Sequence, residues 1–321
     1  MARRSLGPNL DGILVVAKPP GPTSHDVVAL VRRLSATKRV GHGGTLDPFA
    51  TGVLPLFLGR ATRVVEYHLG DSKAYRATIC FGASSTTDDL EGELTPSAGL
   101  VPDRAAVEAA LVATTGPIVQ RPPAYSAVKV GGRRAYARAR AGEVVELEPR
   151  AVTIERLELQ EWDERDPARP IAIVDVVCSA GTYVRALARD LGQRLGNAAY
   201  LGALIRTASG PFRLEGAISL EELRRLAEPG PDGLRARLLP IDAGLDRFPT
   251  IRLTPAEVAD VERGRFVRPD GGIGPAGERY RLIGPDDRLV AIAARAGDRL
   301  APDKVFADPV PGAAAVAGTA G

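Results

Sequence analysis

Apolar positions along this chain recur with two periods, and the periods sort it into strands and helices. The opening run DGILVVAKP is apolar without interruption and is closed by Pro19 and Pro20, which predicts a short buried strand. Thr23 or Ser24 then caps a helix whose apolar face is Val27, Val28, Val31 and Leu34. VLPLFLG reads as a second buried strand, and ATRVVEYHL as a short helix ended by Gly70. In KAYRATICFG the alternation is clear: Tyr75, Ala77, Ile79 and Phe81 share one face, Arg76, Thr78 and Cys80 the other. DRAAVEAALVAT predicts a helix capped by Asp103 and stopped at Gly116-Pro117. RAVTIERLELQEW and PIAIVDVVCSAG predict an antiparallel pair of strands joined by the polar DERDPAR loop. SLEELRRLAE is a helix with Ser219 and Glu222 at capping-box spacing. The implied class is α+β, a mixed, largely antiparallel central sheet with flanking helices.

After PGPDG the pattern shifts. From Phe248 onward TIRLTP, ERYRLIG and RLVAIAARA read as short strands around one helix, PAEVADVERG. This predicts a small β-rich domain of roughly 60 residues, a size that folds alone only marginally. The expected organisation is a flexible N-terminus over 1–9, a large domain over 10–245, the small one over 246–308 and a disordered Ala/Gly-rich tail over 309–321.

Composition adds three limits. At 321 residues with 45% hydrophobic and 25% charged positions the body is an ordinary globular chain. The net charge is only +3, yet a sequence pI of about 9.0 and 42 Lys plus Arg suggest a phosphate-bearing partner if the cations cluster. They cluster over about 121–150: Arg121, Lys129, Arg133, Arg134, Arg138 and Arg140, interleaved with Tyr125 and Tyr136 and with no acid before Glu143. This stretch fits an arm that clamps an RNA backbone. No apolar stretch is long enough to span a membrane and the N-terminus lacks a signal-peptide core, so a cytoplasmic protein without membrane contact is expected. Cys80 and Cys178 each sit in an apolar strand-like run, which supports neither a disulfide framework nor a zinc site.

The candidate chemistry centres on GHGGTLDPFATGVLPLFLG, Gly41 to Gly59. It places Asp47 in a glycine-rich turn just before an apolar strand, and Pro48 pushes Asp47 toward an extended backbone. By turn chemistry alone this is an ordinary Asp-Pro turn. CSAGTYVRALARDLG holds Tyr183 and Arg185 where a strand gives way to a helix. If that stretch is still extended the two side chains share a face, and the strand run before it favours this case. No nucleotide P-loop or GxGxxG motif is present and no metal-ligand spacing stands out, so neither a cofactor nor a metal is expected.

The Gly41–Gly59 segment resembles the signature of the TruB-type tRNA pseudouridine synthases, matched at Gly41, His42, Gly44, Thr45, Leu46, Asp47, Pro48, Ala50, Gly52 and Leu54. DGILVVAKPPGPTSHDVV, KAYRATICFGASSTTDDLEG, PPAYSAVKVGGRRAYARARAG and CSAGTYVRALARDLG follow the same family's order, so the resemblance covers most of residues 10–215. Two departures are Gly43, where Thr is common, and Ala180, where a Lys is common; the second would remove one phosphate contact.

The resemblance implies an enzyme that isomerises uridine 55 in the T-arm stem-loop of tRNA to pseudouridine by base flipping. It implies Asp47 as nucleophile, held charged by Arg185, whose guanidinium would lower the Asp47 pKa; that pair is equally readable as a plain buried salt bridge. It implies Tyr75 stacking on the target base, otherwise the rim of the core, and Tyr183 near C5 as the base. His42 would take the place of the flipped base, otherwise a hydrogen-bonded structural residue, and Leu204 would pack under the base or serve as a core leucine. Lys129, Arg133 and Arg134 fall in the RNA-binding arm. Asp11, Lys18 to Pro20 and Ser24 belong to a motif supporting the sheet, and His25 and His68 are left as structural or surface residues. The small C-terminal domain takes the place of a PUA-like RNA-binding domain, and the protein is expected to act as a monomer. The rivals are a guide-RNA-dependent rRNA pseudouridine synthase and a non-catalytic RNA-binding or tRNA-folding protein.

Overall fold

The protein is described by a computed structural model over residues 10–126, 129–130, 132–140, 143, 147–269, 272–273 and 278–306. The chain begins with β1 (Gly12–Lys18), α1 (Ser24–Leu34), β2 (Val40–His42) and β3 (Thr51–Leu58). A short helix, α2 (Val65–Leu69), leads to β4 (Lys73–Phe81), the small hairpin β5 (Ala83–Ser85) and β6 (Leu94–Pro96), and α3 (Arg104–Thr114). β7 (Gly116–Gln120) runs into the basic arm, which carries β8 (Lys129–Val130), β9 (Arg133–Arg134) and α4 (Ala135–Arg140). β10 (Arg150–Asp163) leaves the arm, and β11 (Ile171–Cys178), α5 (Val184–Arg194), β12 (Ala199–Ser209), β13 (Phe212–Arg213), β14 (Ile218–Ser219) and α6 (Leu220–Ala227) follow. β15 (Thr250–Arg252), α7 (Pro255–Glu262), β16 (Arg279–Ile283), β17 (Leu289–Ala296) and β18 (Arg299–Val305) close the chain.

The large sheet runs β14-β1-β3-β12-β4-β11-β10-β7, with β2 and β13 paired off β3 and β12. Only β14–β1 and β3–β12 are parallel, so this is the mixed, largely antiparallel sheet the patterns predict. Apart from Lys18 and Thr51 at one end, β1 and β3 are apolar because both of their faces are covered. Leu14, Val16, Leu54, Leu56 and Leu58 meet Val27, Val28 and Val31 of α1 and Leu223 of α6. Ile13, Val15, Val53 and Phe57 point the other way, onto Phe212, Leu245, Ile292 and Phe306. Each such side chain, fully buried, contributes about 1.5–3 kcal/mol. β4 follows its alternation: Ala77, Ile79 and Phe81 pack with Val107 and Leu111 of α3 and Leu187 and Leu191 of α5. Arg76, on the opposite face, pairs with Asp175, its partner across the ladder on β11. Trp162, near the end of β10, tilts against Phe81 with ring centroids 6.2 Å apart and donates to Glu164.

Pro55 sits inside a central strand, where a missing N–H ordinarily breaks a ladder. Here β3 changes partners: Thr51 and Gly52 pair with β12, while Leu56 to Leu58 pair with β2. The missing donor falls in the gap between the two.

The helix caps show how far local chemistry carries. Thr23 and Asp26 form a full capping box on α1. Ser219 caps α6 through the Glu222 N–H, but the Glu222 carboxylate has turned to Arg237, so the box is half made. The four-stranded sheet β15-β16-β17-β18 includes one strand that the patterns missed, β18, because Pro302, Asp303 and Lys304 break its alternation. No described helix is long and apolar enough to cross a membrane. The disorder expected over 1–9 and 309–321 lies outside the described residues.

Candidate active site

Residues 43–50 join β2 to β3, and their backbone is held from three sides. Ser24 at the start of α1 accepts from the Leu46 N–H at 2.9 Å and donates to the Leu46 carbonyl at 3.0 Å. Lys18 at the end of β1, fully buried, donates Nζ to the carbonyls of Pro19, Pro48 and Ala50 at 2.9, 3.0 and 2.7 Å. Arg206 of β12, 1% exposed, donates to the carbonyls of Val53 at 2.7 Å, Gly44 at 3.1 Å and Thr45 at 3.4 Å. A Cβ on Gly52, whose φ is +105°, would lie 2.2 Å from the Arg206 carbonyl oxygen, so only glycine lets β3 and β12 approach here. Two buried cations thus find backbone oxygens where one expects carboxylates. Burial pushes the Lys18 ammonium down to about 8, with Asp47 opposing.

Asp47 is displayed by this loop with its side chain 36% exposed. The Arg185 guanidinium lies against it, Nε 3.0 Å from Oδ2 and Nη2 3.2 Å from Oδ1. Arg185, 5% exposed, also pairs with the buried Asp89 at 3.3 Å and donates to the carbonyls of Thr87 at 3.1 Å and Tyr125 at 2.9 Å. It therefore bridges two carboxylates, one buried and one facing the cavity. Burial raises the Asp47 carboxyl above the usual carboxylate range; Arg185 pulls it down and Asp89 pushes it further up. This corrects the expectation that the guanidinium would leave it lowered, because desolvation is the larger effect.

The cavity above Asp47 has a volume of about 780 Å³, within the range of small-molecule sites. Tyr75, Tyr125, Tyr136, Tyr183 and Leu204 supply its apolar wall. Tyr75 packs at the edge of the core that contains Ala77 and Ile79, and Arg206 hydrogen-bonds its hydroxyl. Burial raises the Tyr75 phenol. Tyr183 does not lie in a continued strand as favoured above: β11 ends at Cys178, residues 179–182 turn with Gly181 at φ +87°, and Tyr183 is the N-cap of α5. Arg185 is consequently helical, yet both side chains reach the cavity, because the N-cap is still extended. Gln120 exchanges two hydrogen bonds with the Tyr183 backbone, and the Arg150 guanidinium lies over the Tyr183 ring, 4.7 Å from its centroid.

Of the residues singled out in the sequence, Asp47, Tyr75, Tyr183, Arg185 and Leu204 line this one cavity. His42 does not. Its Nδ1 accepts from the Gly44 N–H at 3.3 Å, its ring meets His25 edge-on at 5.5 Å, and burial with His25 and Arg206 nearby pushes its pKa down to about 4. It is neutral at pH 7. His25 lies on the cavity wall, and His68 is packed between Phe57 and Phe212 with Nδ1 3.0 Å from Asp71. Lys129, Arg133 and Arg134 occupy the β8–β9 hairpin, where Lys129 and Arg134 are directly opposite; their side chains lie outside the description. Asp89, Arg206, Gln120 and Arg150 carry the site without having been singled out. Arg206 had a signal: on β12 the charged residue faces inward between Leu204 and Ala208 while Ile205 faces out, the reverse of an ordinary strand. Asp89 had none beyond the acidic pair in TTDDLEG.

Comparison with known proteins places this geometry in a lineage. The family model for "TruB family pseudouridylate synthase (N terminal domain)" matches residues 32–184, and that for "tRNA pseudouridylate synthase B C-terminal domain" matches 185–246. A protein of Thermobifida fusca called tRNA pseudouridine synthase B is 46% identical over 304 residues, covering 92% of this chain and 99% of its own. Its counterpart of the same name in Symbiobacterium thermophilum is 49% identical over 264 residues, 82% of this chain and 85% of its own. Among solved structures, a chain from a Cbf5-Nop10-Gar1 complex superposes with a TM-score of 0.71 at 28% identity, covering 93% of this chain and 85% of that one.

Proposed function

Because the chain belongs to the TruB family of pseudouridylate synthases, we propose that it isomerises uridine 55 in the T-arm of tRNA to pseudouridine, with Asp47 as the reacting carboxylate. The observation that carries this reading is the Asp47 carboxylate, held by Arg185 at the floor of a tyrosine-walled cavity large enough for an extruded nucleotide. The reaction breaks the bond between ribose C1′ and N1 of uracil, forms one between C1′ and C5, and moves a proton from C5 while N1 gains one. Nothing is oxidised or hydrolysed, so the needs are a nucleophile, a flat apolar slot and a proton acceptor.

Asp47 is the nucleophile. Tyr75 stacks on the base, Leu204 packs beneath it, and Tyr183 stands near C5 to receive the proton. A uridine inside folded tRNA is stacked, so it must leave the stack at a cost of a few kcal/mol. His42, neutral and beside the Asp47 loop but off the cavity wall, fits the gap the base leaves behind. The β8–β9 hairpin carries Lys129, Arg133 and Arg134 in the basic arm, and such a run of cations suits a phosphate backbone. The protein acts on tRNA in the cytoplasm, as a monomer. Identity of 46% to a protein named for tRNA, against 28% to a chain of the Cbf5-Nop10-Gar1 complex at about the same coverage of this chain, favours this over a guide-RNA-dependent relative.

The test is direct. With a T-arm stem-loop, Asp47→Ala abolishes product while leaving RNA affinity within about tenfold, or about 1.4 kcal/mol. Pseudouridine from the variant removes Asp47 from the reaction. Binding without product from the unaltered protein selects the non-catalytic RNA-folding reading.

A further inference from the structure

Gln120 and Arg150 face each other as Cα partners across the β7–β10 ladder, on the rung from which the basic arm springs. We propose that this rung is a positioning device for the Tyr183 ring, Gln120 holding its backbone and Arg150 its face. The inference rests on the reading of Tyr183 as a group that meets the substrate base.

Tyr183 is an unusual residue to find at a helix N-cap, where Ser, Thr, Asp or Asn ordinarily satisfies the free N–H groups. Its side chain makes no capping bond. Something else must hold it, and Gln120 does so. The Gln120 side chain, fully buried, donates Nε2 to the Tyr183 carbonyl at 3.1 Å and accepts the Tyr183 N–H on Oε1 at 2.8 Å. Only one orientation of the amide satisfies both bonds, so the φ and ψ of Tyr183 are held from the side as if by another strand.

Arg150 sets what the backbone leaves free. Its guanidinium lies 4.7 Å from the ring centroid, its Nη2 donates to the Gly181 carbonyl, and its buried Nε has no hydrogen-bond partner among the described residues. A Cβ on Gly181 would sit 3.7 Å from Cζ, so the planar group rests on the turn that precedes Tyr183 as well as on the ring. A flat cation on a flat ring restricts how the ring can tilt. With the ring so held, the phenol is presented to the cavity in one orientation, and misplacing such a group by about 1 Å can lower a rate a hundredfold.

The test uses the whole protein with a T-arm stem-loop under single-turnover conditions. Arg150→Met is expected to slow product formation roughly ten- to a hundredfold, with RNA affinity and its salt dependence unchanged. Arg150→Lys, which keeps the charge and loses the plane, should not restore the rate. In a Tyr183→Phe background Arg150→Met should have almost no further effect, since no hydroxyl remains to be placed. With 3-fluorotyrosine at position 183, the ¹⁹F line of the free protein should shift in Arg150→Met and in Gln120→Leu but not in Arg165→Met, a change in an exposed loop. Weaker binding with a flatter salt slope would make Arg150 a phosphate contact and overturn the proposal, as would an equal rate loss in the Tyr183→Phe background. If that background yields no measurable product the fluorine line decides: unmoved, the proposal fails. Absence of pseudouridine from the unaltered protein would sink the proposed reaction, while the fluorine line still reports on the rung.

Discussion

Asp47 is pulled in two directions, and the balance has a measurable sign. Burial raises its carboxyl above the usual range and Arg185 only partly offsets this. The proposed reaction needs the ionised form, so on that reading the rate is full above the raised value and falls as pH drops through it. The acid limb of the single-turnover rate is therefore expected above the roughly 3.9 of a free aspartate; a limb at or below that value would contradict the burial argument. Stability follows the same linkage. A folded-state pKa above the unfolded one contributes stability below the unfolded value that is lost as pH rises through the folded one. Asp47→Asn should accordingly gain stability relative to the unaltered protein as pH rises through that range, read from denaturant midpoints. The place of Asp47 was legible in its Gly-rich, proline-followed turn. Its titration was not, because desolvation depends on walls contributed by β4, β12 and α5, which no local pattern reveals.

At the scale of elements, alternation and caps located α1, β3, β4, β10 and β11, but not β12, which brings Leu204 and Arg206 to the cavity, nor where β11 hands over to α5. The apolar run before Cys178 suggested continued strand through Tyr183, whereas Gly181 at positive φ turns the chain first. β18 stayed hidden for a related reason: its ladder to β17 satisfies the backbone although its side chains do not alternate. The arm can be tested as an element. Reversing charge at Arg133 and Arg134 should weaken RNA binding and reduce the slope of log affinity against log salt by about 0.7–0.9 for each phosphate no longer neutralised. An unchanged slope would remove the hairpin from the RNA interface. Arg138 is a poorer site for the same experiment, since it already pairs with Glu143 at 2.6 Å.

For the whole molecule, the change in composition after PGPDG suggests two cores, yet one hydrophobic cluster joins them. Ile292 and Phe306 pack with Val53, Phe57 and Phe212, and Arg60 and Arg63 donate to the carbonyls of Phe306 and Val305. A sequence pattern shows which face of a strand is apolar but not what will cover it. The shared cluster predicts one cooperative unfolding transition in calorimetry, with Phe306→Ala lowering it as a whole by about 3–5 kcal/mol. Two separable transitions would mean that the cluster couples the sheets too weakly to matter.

Trp162 is the sole tryptophan of the chain, near the far end of the strand that begins at Arg150. Its neighbour Phe81 lies six residues along β4 from Tyr75, which puts the indole roughly 20 Å from the cavity wall. Its indole leans on Phe81 in the core of the sheet, so intrinsic emission excited at the red edge is a built-in optical gauge of the fold. It should stay dark to RNA in the cavity and change only when the sheet itself comes apart.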